Sequence, residues 1–168
     1  MRDPRDLACN QYWWALQHPN DRDPPEVAEE KRRKVEAAGI DAFVLAANYA
    51  DLYAVYRDIA VREAGNTVWT SYTQLCSAFD YLVFSLATLL EREPRDFVKK
   101  LIVERPENLG GNANWSKVGA VWQGADIGPG RFRRELQPET IKAAGRRFAE
   151  ELAFCRSKEP DFLRPHYY

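Results

Sequence analysis

Long apolar runs, paired cysteines and net charge are all missing from this 168-residue chain, and each absence removes a class of function. No apolar run approaches the roughly 20 residues that a membrane-spanning helix needs, so no membrane partner is expected. Arg and Asp occupy the start of the chain, which does not read as a signal peptide. Basic and acidic side chains balance, 24 against 25, so nothing draws the whole molecule toward nucleic acid or an anionic membrane, and any anion site must be local. Cys9, Cys76 and Cys155 are scattered and form no Cys-x-x-Cys pair, which argues against zinc and disulfides. They read as reduced thiols packed in the core of a cytoplasmic protein. No spacing suggests a Ser/His/Asp or Cys/His arrangement, and no glycine-rich loop carries Lys with Ser or Thr.

What is present is an ordinary soluble composition, 45% hydrophobic and 29% charged, of a length that fits one domain with a real core. Aromatic residues make up 12%, with five Trp, and large flat side chains suit cores as well as adenine or phenol pockets.

The first ten residues carry the strongest local signal. Asp3 suits a helix N-cap, Pro4 the first helical position and Asp6 the first turn. Arg2 stands just outside that helix start, so backbone N–H groups, the positive end of the helix dipole and a guanidinium would converge on a phosphate. A strand normally precedes such a turn, and none precedes this one.

Beyond the first helix, Pro4 to Gln17, the sequence predicts a charged surface helix over about Pro24 to Ala38, ended by Gly39. A long third helix is predicted from Asp41 to about Ala64 and a buried fourth over about Gln74 to Glu91. Between them Val68 to Tyr72, β-branched and aromatic, reads as the one clear strand. Residues 106–130 form a long Gly/Asn/Trp loop, Pro138 opens a C-terminal helix to about Arg156, and 160–168 reads as a frayed tail. One strand cannot make a sheet, so the pattern suggests a partial α/β domain.

In this order the motifs resemble the C-terminal half of a cytosolic-type sulfotransferase, an α/β, P-loop-like fold. The family binds a 3′-phosphate with Arg, Asp four residues on and Ser four further. Arg2 and Asp6 match, and Asn10 replaces the Ser with an amide that can still donate. Val68 to Leu75 resembles the family's strand-to-helix segment, which implies that Tyr72 lies near an adenine. Asn114 to Trp122 resembles the closing basic loop: Gly119 matches, Lys117 stands in for its cations, and the Arg-Lys pair is absent. The resemblance implies 3′-phosphoadenosine-5′-phosphosulfate (PAPS) as cofactor and a hydroxyl or amine of a small molecule as acceptor. In-line sulfuryl transfer needs a base and cationic donors on the leaving phosphate. The family's 5′-phosphosulfate loop and catalytic His have no counterpart here, so the chain is expected to be a truncated, inactive member.

Each of these residues also has an ordinary reading. Arg2 is a terminal arginine, Asp6 serves its helix N-terminus, Tyr72 is a core aromatic and Lys117 an exposed lysine. Trp115 and Trp122 anchor a loop, His18 caps a helix C-terminus, and His166 lies in the tail. On those readings the chain is a non-catalytic helical binding or scaffold module, or part of another nucleotide-binding α/β enzyme. Self-association stays open.

Overall fold

The computed structural model describes residues 1–17, 23–63, 65, 67–91 and 129–168. Helix α1, Pro4–Gln17, begins as the local chemistry dictates: the Asp3 carboxylate accepts the Arg5 N–H at 2.8 Å and the Asp3 carbonyl accepts that of Leu7 at 2.9 Å. This helix start lies in the core, with Pro4, Arg5, Asp6, Ala8 and Cys9 all buried.

Helix α2, Pro25–Ala46, starts on prolines and carries i,i+3 and i,i+4 ion pairs such as Arg32–Glu29 and Lys34–Glu30. Gly39, at φ 74°, breaks its helical geometry where the sequence placed a stop, and the helix resumes to bury Val44. The predicted long helix from Asp41 divides at Ala47–Tyr49. There the Asn48 carboxamide oxygen accepts the Ala50 N–H at 3.0 Å and Tyr49 turns inward, so α3 spans Ala50–Arg62. The predicted fourth helix likewise splits at Ala78 into α4, Tyr72–Ser77, and α5, Phe79–Leu89.

After the short α6, Phe132–Glu135, the predicted C-terminal helix is two: α7, Pro138–Arg147, and α8, Ala149–Lys158, hinged at the buried Phe148. The expected frayed tail is a 3-10 helix, Asp161–Tyr167, that buries Leu163 and Tyr167.

The α/β expectation is overturned. Among the described residues there are helices and no strand. Residues 67–71 run without regular structure, and Tyr72 donates to the Met1 carbonyl at 2.8 Å while the Met1 amine donates to Thr70 at 2.7 Å. Among the described residues these two bonds, one on either side of Ser71, are the segment's pairing with the N-terminus, and a ladder needs more. Its Trp69 packs instead against Tyr56 and Phe154, edge to face.

Helix α1 packs on α2, α2 on α7, and α8 on α3 and the 3-10 helix. Their shared core is Ala8, Cys9, Val44, Tyr53, Phe132, Ala144, Phe148, Leu152 and Cys155. Through it runs the N-terminal segment. The Asp6 carboxylate, 2% exposed, accepts the backbone N–H groups of Gly130 at 2.7 Å and Phe132 at 3.0 Å, and so fastens α1 to the turn that starts α6. Gly130 holds φ 81°, and a Cβ there would meet the Arg133 guanidinium at 2.9 Å.

Asp6→Ala leaves two buried N–H donors unpaired. It should lower stability by about 1–3 kcal/mol for each donor, read from urea denaturation. Burial, with the Asp3 charge behind it, raises the Asp6 pKa above 3.8, against the pull of the two backbone donors and of Arg2. Folding therefore favours the protonated carboxyl. That contribution is complete below the unfolded value and lost as pH rises through the folded one. The stability of the wild-type chain relative to Asp6→Asn should fall as pH rises above the ordinary carboxylate value of 3.8, and a flat difference would contradict the assignment.

Candidate functional site

Three charged side chains at the start of α1 find partners inside the protein. Arg5 grips Asp3 in a fork, Nε to Oδ1 at 3.1 Å and Nη2 to Oδ2 at 2.7 Å, and Nη2 also donates to the Tyr167 carbonyl at 3.1 Å. Its guanidinium lies 3.9 Å over the Phe132 ring, and Asp6 is occupied as described. The Asp3 carboxylate thus fills the anion position at the helix N-terminus that the sequence offered to a phosphate.

Arg2 is different. Its carbonyl accepts a hydrogen bond from the Tyr53 hydroxyl. Its guanidinium stacks on Tyr72, 4.2 Å from the ring centroid. Among the described residues its Nε and Nη2 have no hydrogen-bond partner, although both atoms are buried. Buried polar groups are nearly always paired, so an unpaired guanidinium edge is the exception that needs a cause.

Arg2 lines a cavity of about 390 Å³ between the N-terminal segment, α3 and the start of α4. Its walls are apolar, from Leu7 on α1, Leu52, Tyr53 and Tyr56 on α3, and Leu75 on α4. Thr70, Ser71 and Tyr72 close another side. Local rules place these groups. Ser71 accepts the Gln74 N–H at 2.9 Å as the N-cap of α4, which sets Tyr72 at the first helical position under Arg2. Tyr53 and Tyr56, three apart on α3, share one face and meet edge to face at 5.4 Å.

The cavity is a low-dielectric place. Burial raises the Tyr53 and Tyr72 hydroxyls well above their ordinary range, with Cys155 and Cys76 respectively adding to the effect, and burial lowers the Met1 ammonium. Both phenols therefore stay protonated. Of the side chains lining the cavity, Arg2 alone carries charge. The Arg2 guanidinium and the Met1 amino group, with neutral hydroxyls beside them, can hold and orient an anion.

Of the residues the sequence put forward, the structure brings together Arg2 and Tyr72. Asn10 is half-buried on α1 and does not line the cavity. Lys117 and Gly119, with Trp115, Trp122, His18 and residues 106–128, lie outside the described residues. Asp6 serves the turn before α6 rather than its own helix, and His166 offers its carbonyl to Arg133 at 3.0 Å. Leu7, Leu52, Tyr53, Tyr56 and Leu75 were missed as cavity walls. The i,i+3 spacing of Tyr53 and Tyr56 marks a helix face, but nothing local says that the face meets the chain's first residues.

Among the described residues no helix is long and apolar enough to cross a membrane, and no group of three or more His, Cys, Asp or Glu side chains could hold a metal ion. The three cysteines are free thiols: Cys9 and Cys155 are buried, and Cys76, in a hydrogen bond with Tyr72, is half-buried. Burial pushes the Cys155 thiol up to about 12 and the Cys9 thiol higher. A disulfide reagent should therefore titrate Cys76 in the native chain and reach Cys9 and Cys155 only in urea. Reaction of all three at one rate without denaturant would show that the core around α1 and α8 is not as described. No protein-family model, curated protein or solved structure matches this chain.

Proposed function

We propose that this chain is a non-catalytic helical module that binds an anionic small molecule in the Arg2 cavity. One observation carries the reading: a guanidinium edge, buried and without a protein partner, on a side chain that lines a cavity of ligand size. Leaving such donors unpaired costs stability, and an anion that accepts from them recovers it.

Thermal melting tests this against acetate, benzoate, phosphate and 3′-phosphoadenosine-5′-phosphate, each at constant ionic strength with chloride as reference. At least one should raise the melting temperature of the wild-type chain and not that of Arg2→Ala. A ligand at a hundred times its Kd adds about 2.7 kcal/mol. An unmoved wild-type transition with every anion would remove the reading.

A second reading has one observation in its favour. Arg2 and Tyr72, from two separate motifs of the sulfotransferase resemblance, stand together. In that reading a 3′-phosphate meets Arg2, an adenine lies beside Tyr72, and PAPS serves a cytoplasmic, self-associating protein that acts on a small-molecule acceptor. Calorimetric titration with 3′-phosphoadenosine-5′-phosphate beside ATP separates the two. Selective binding of the former, lost in Arg2→Ala, supports it. Preference for ATP points to another nucleotide-handling protein.

A further inference from the structure

Helix α3 has two unlike faces. One carries Tyr53, 1% exposed, into the core, where the helix packs on α8. The other carries Leu52, Val55 and Ile59, which are 39%, 55% and 37% exposed. Their spacing, i, i+3 and i+7, is that of the apolar stripe by which one helix packs on another. Exposed apolar side chains scattered singly are ordinary, whereas a stripe along two turns marks a contact surface.

Charge identifies what covers it. Helix α3 carries Asp51 in its first turn and Arg62 in its last, each where the helix dipole favours it. The two stand about three turns apart, so the helical repeat puts both on one flank of the stripe, beside Val55. Consider two copies of α3 lying antiparallel about a two-fold axis next to Val55. Leu52 of each copy then faces Ile59 of the other. Asp51 of each copy comes to Arg62 of the other, so symmetry forms two ion pairs at once. The positive end of each helix dipole also lies beside the negative end of its mate. Arg62, which pairs with Asp58 one turn back in its own chain, comes to stand between two carboxylates. A parallel pair would instead set Asp51 on Asp51 and Arg62 on Arg62. Helix α5 also exposes apolar side chains, Phe84 and Leu86 among them, but Asp80 is its single charge and selects no such mate. We propose that α3 is a self-association surface, on which a second copy of this chain docks antiparallel over Leu52, Val55 and Ile59, with an Asp51–Arg62 pair at each end.

Sedimentation velocity of the full chain from about 1 µM to about 300 µM, a range suited to a small interface, tests the proposal. The wild-type chain should pass from monomer to twice the monomer mass across it. Val55→Glu and Val55→Lys each set like charges across the two-fold axis, at a position exposed enough to tolerate them. Both should stay monomeric throughout, with the circular dichroism and melting transition of a folded chain. Asp51→Arg and Arg62→Asp each oppose like charges at both ends and should weaken association at least about threefold. The double variant D51R/R62D restores opposite charges and should regain most of the loss. A wild-type chain that is monomeric at every concentration overturns the proposal. So does a dimer that survives in folded Val55→Glu or Val55→Lys, or a double variant no better than the single reversals.

Discussion

Burial of the charged segment Asp3–Asp6 is the constraint around which this molecule is organised. Asp3, Arg5 and Asp6 are 2–4% exposed at the beginning of a helix, where most chains keep such residues in water. A buried charge is tolerated only when paired and hydrogen-bonded: Asp3 pairs with Arg5, while Asp6 and Arg5 recruit partners from far along the chain. Asp6 reaches residues 130 and 132, and Arg5 reaches the carbonyl of Tyr167. The first helix, the turn before α6 and the C-terminal 3-10 helix are thereby fixed together by charge satisfaction as much as by apolar contact. Another buried carboxylate extends the scheme. Glu159 accepts from the Tyr167 hydroxyl at 2.6 Å and from the Gln74 amide at 2.9 Å, and so joins α4 to the same C-terminal segment.

Against that background the Arg2 side chain stands out for a physical reason. Among the described residues the neighbouring acids Asp3 and Asp6 satisfy other donors, and the Nε–Nη2 edge has no partner. A fold that pairs Arg5 twice and Asp6 twice within four residues does not leave a guanidinium edge unsatisfied through lack of acceptors in the sequence, which carries 25 acids.

Rules that act within one turn of chain were legible in the sequence. Asp3 caps, Pro4 starts and Gly39 breaks, because each effect is set by a residue and its immediate neighbours. The helix divisions at Ala47–Tyr49, Ala78 and Phe148 were not legible, because the inward turns of Tyr49 and Phe148 answer to tertiary packing. The strand at 68–72 was misread for a related reason. β-propensity reports fitness for a half-buried surface, and Trp69 satisfies it by packing on Tyr56 and Phe154 with no neighbouring strand. The tail was misread because Leu163 and Tyr167 acquire value only once Glu159 and Arg5 are in place. At the site, Arg2 and Tyr72 were readable as chemistry-bearing residues, while the α3 wall was not, since facing is a property of the assembled fold.

Arg2 divides its duties between backbone and side chain. Its carbonyl accepts from Tyr53, whose hydroxyl also lies 3.4 Å from the Cys155 sulfur, so α3 and α8 hold the residue from behind. Tyr53 in turn belongs to a closed ring of edge-to-face contacts. Tyr53 meets Tyr56 at 5.4 Å, Tyr56 meets Trp69 at 6.2 Å, Trp69 meets Phe154 at 5.4 Å, and Phe154 returns to Tyr53 at 6.2 Å. Four rings locked pairwise resist rotation of any one of them. Two of the four, Tyr53 and Tyr56, are cavity walls, so the rigidity of the core extends into the site. The guanidinium is then presented on a fixed backbone, over a fixed ring, against fixed walls, and binding an anion need not pay again for ordering these groups.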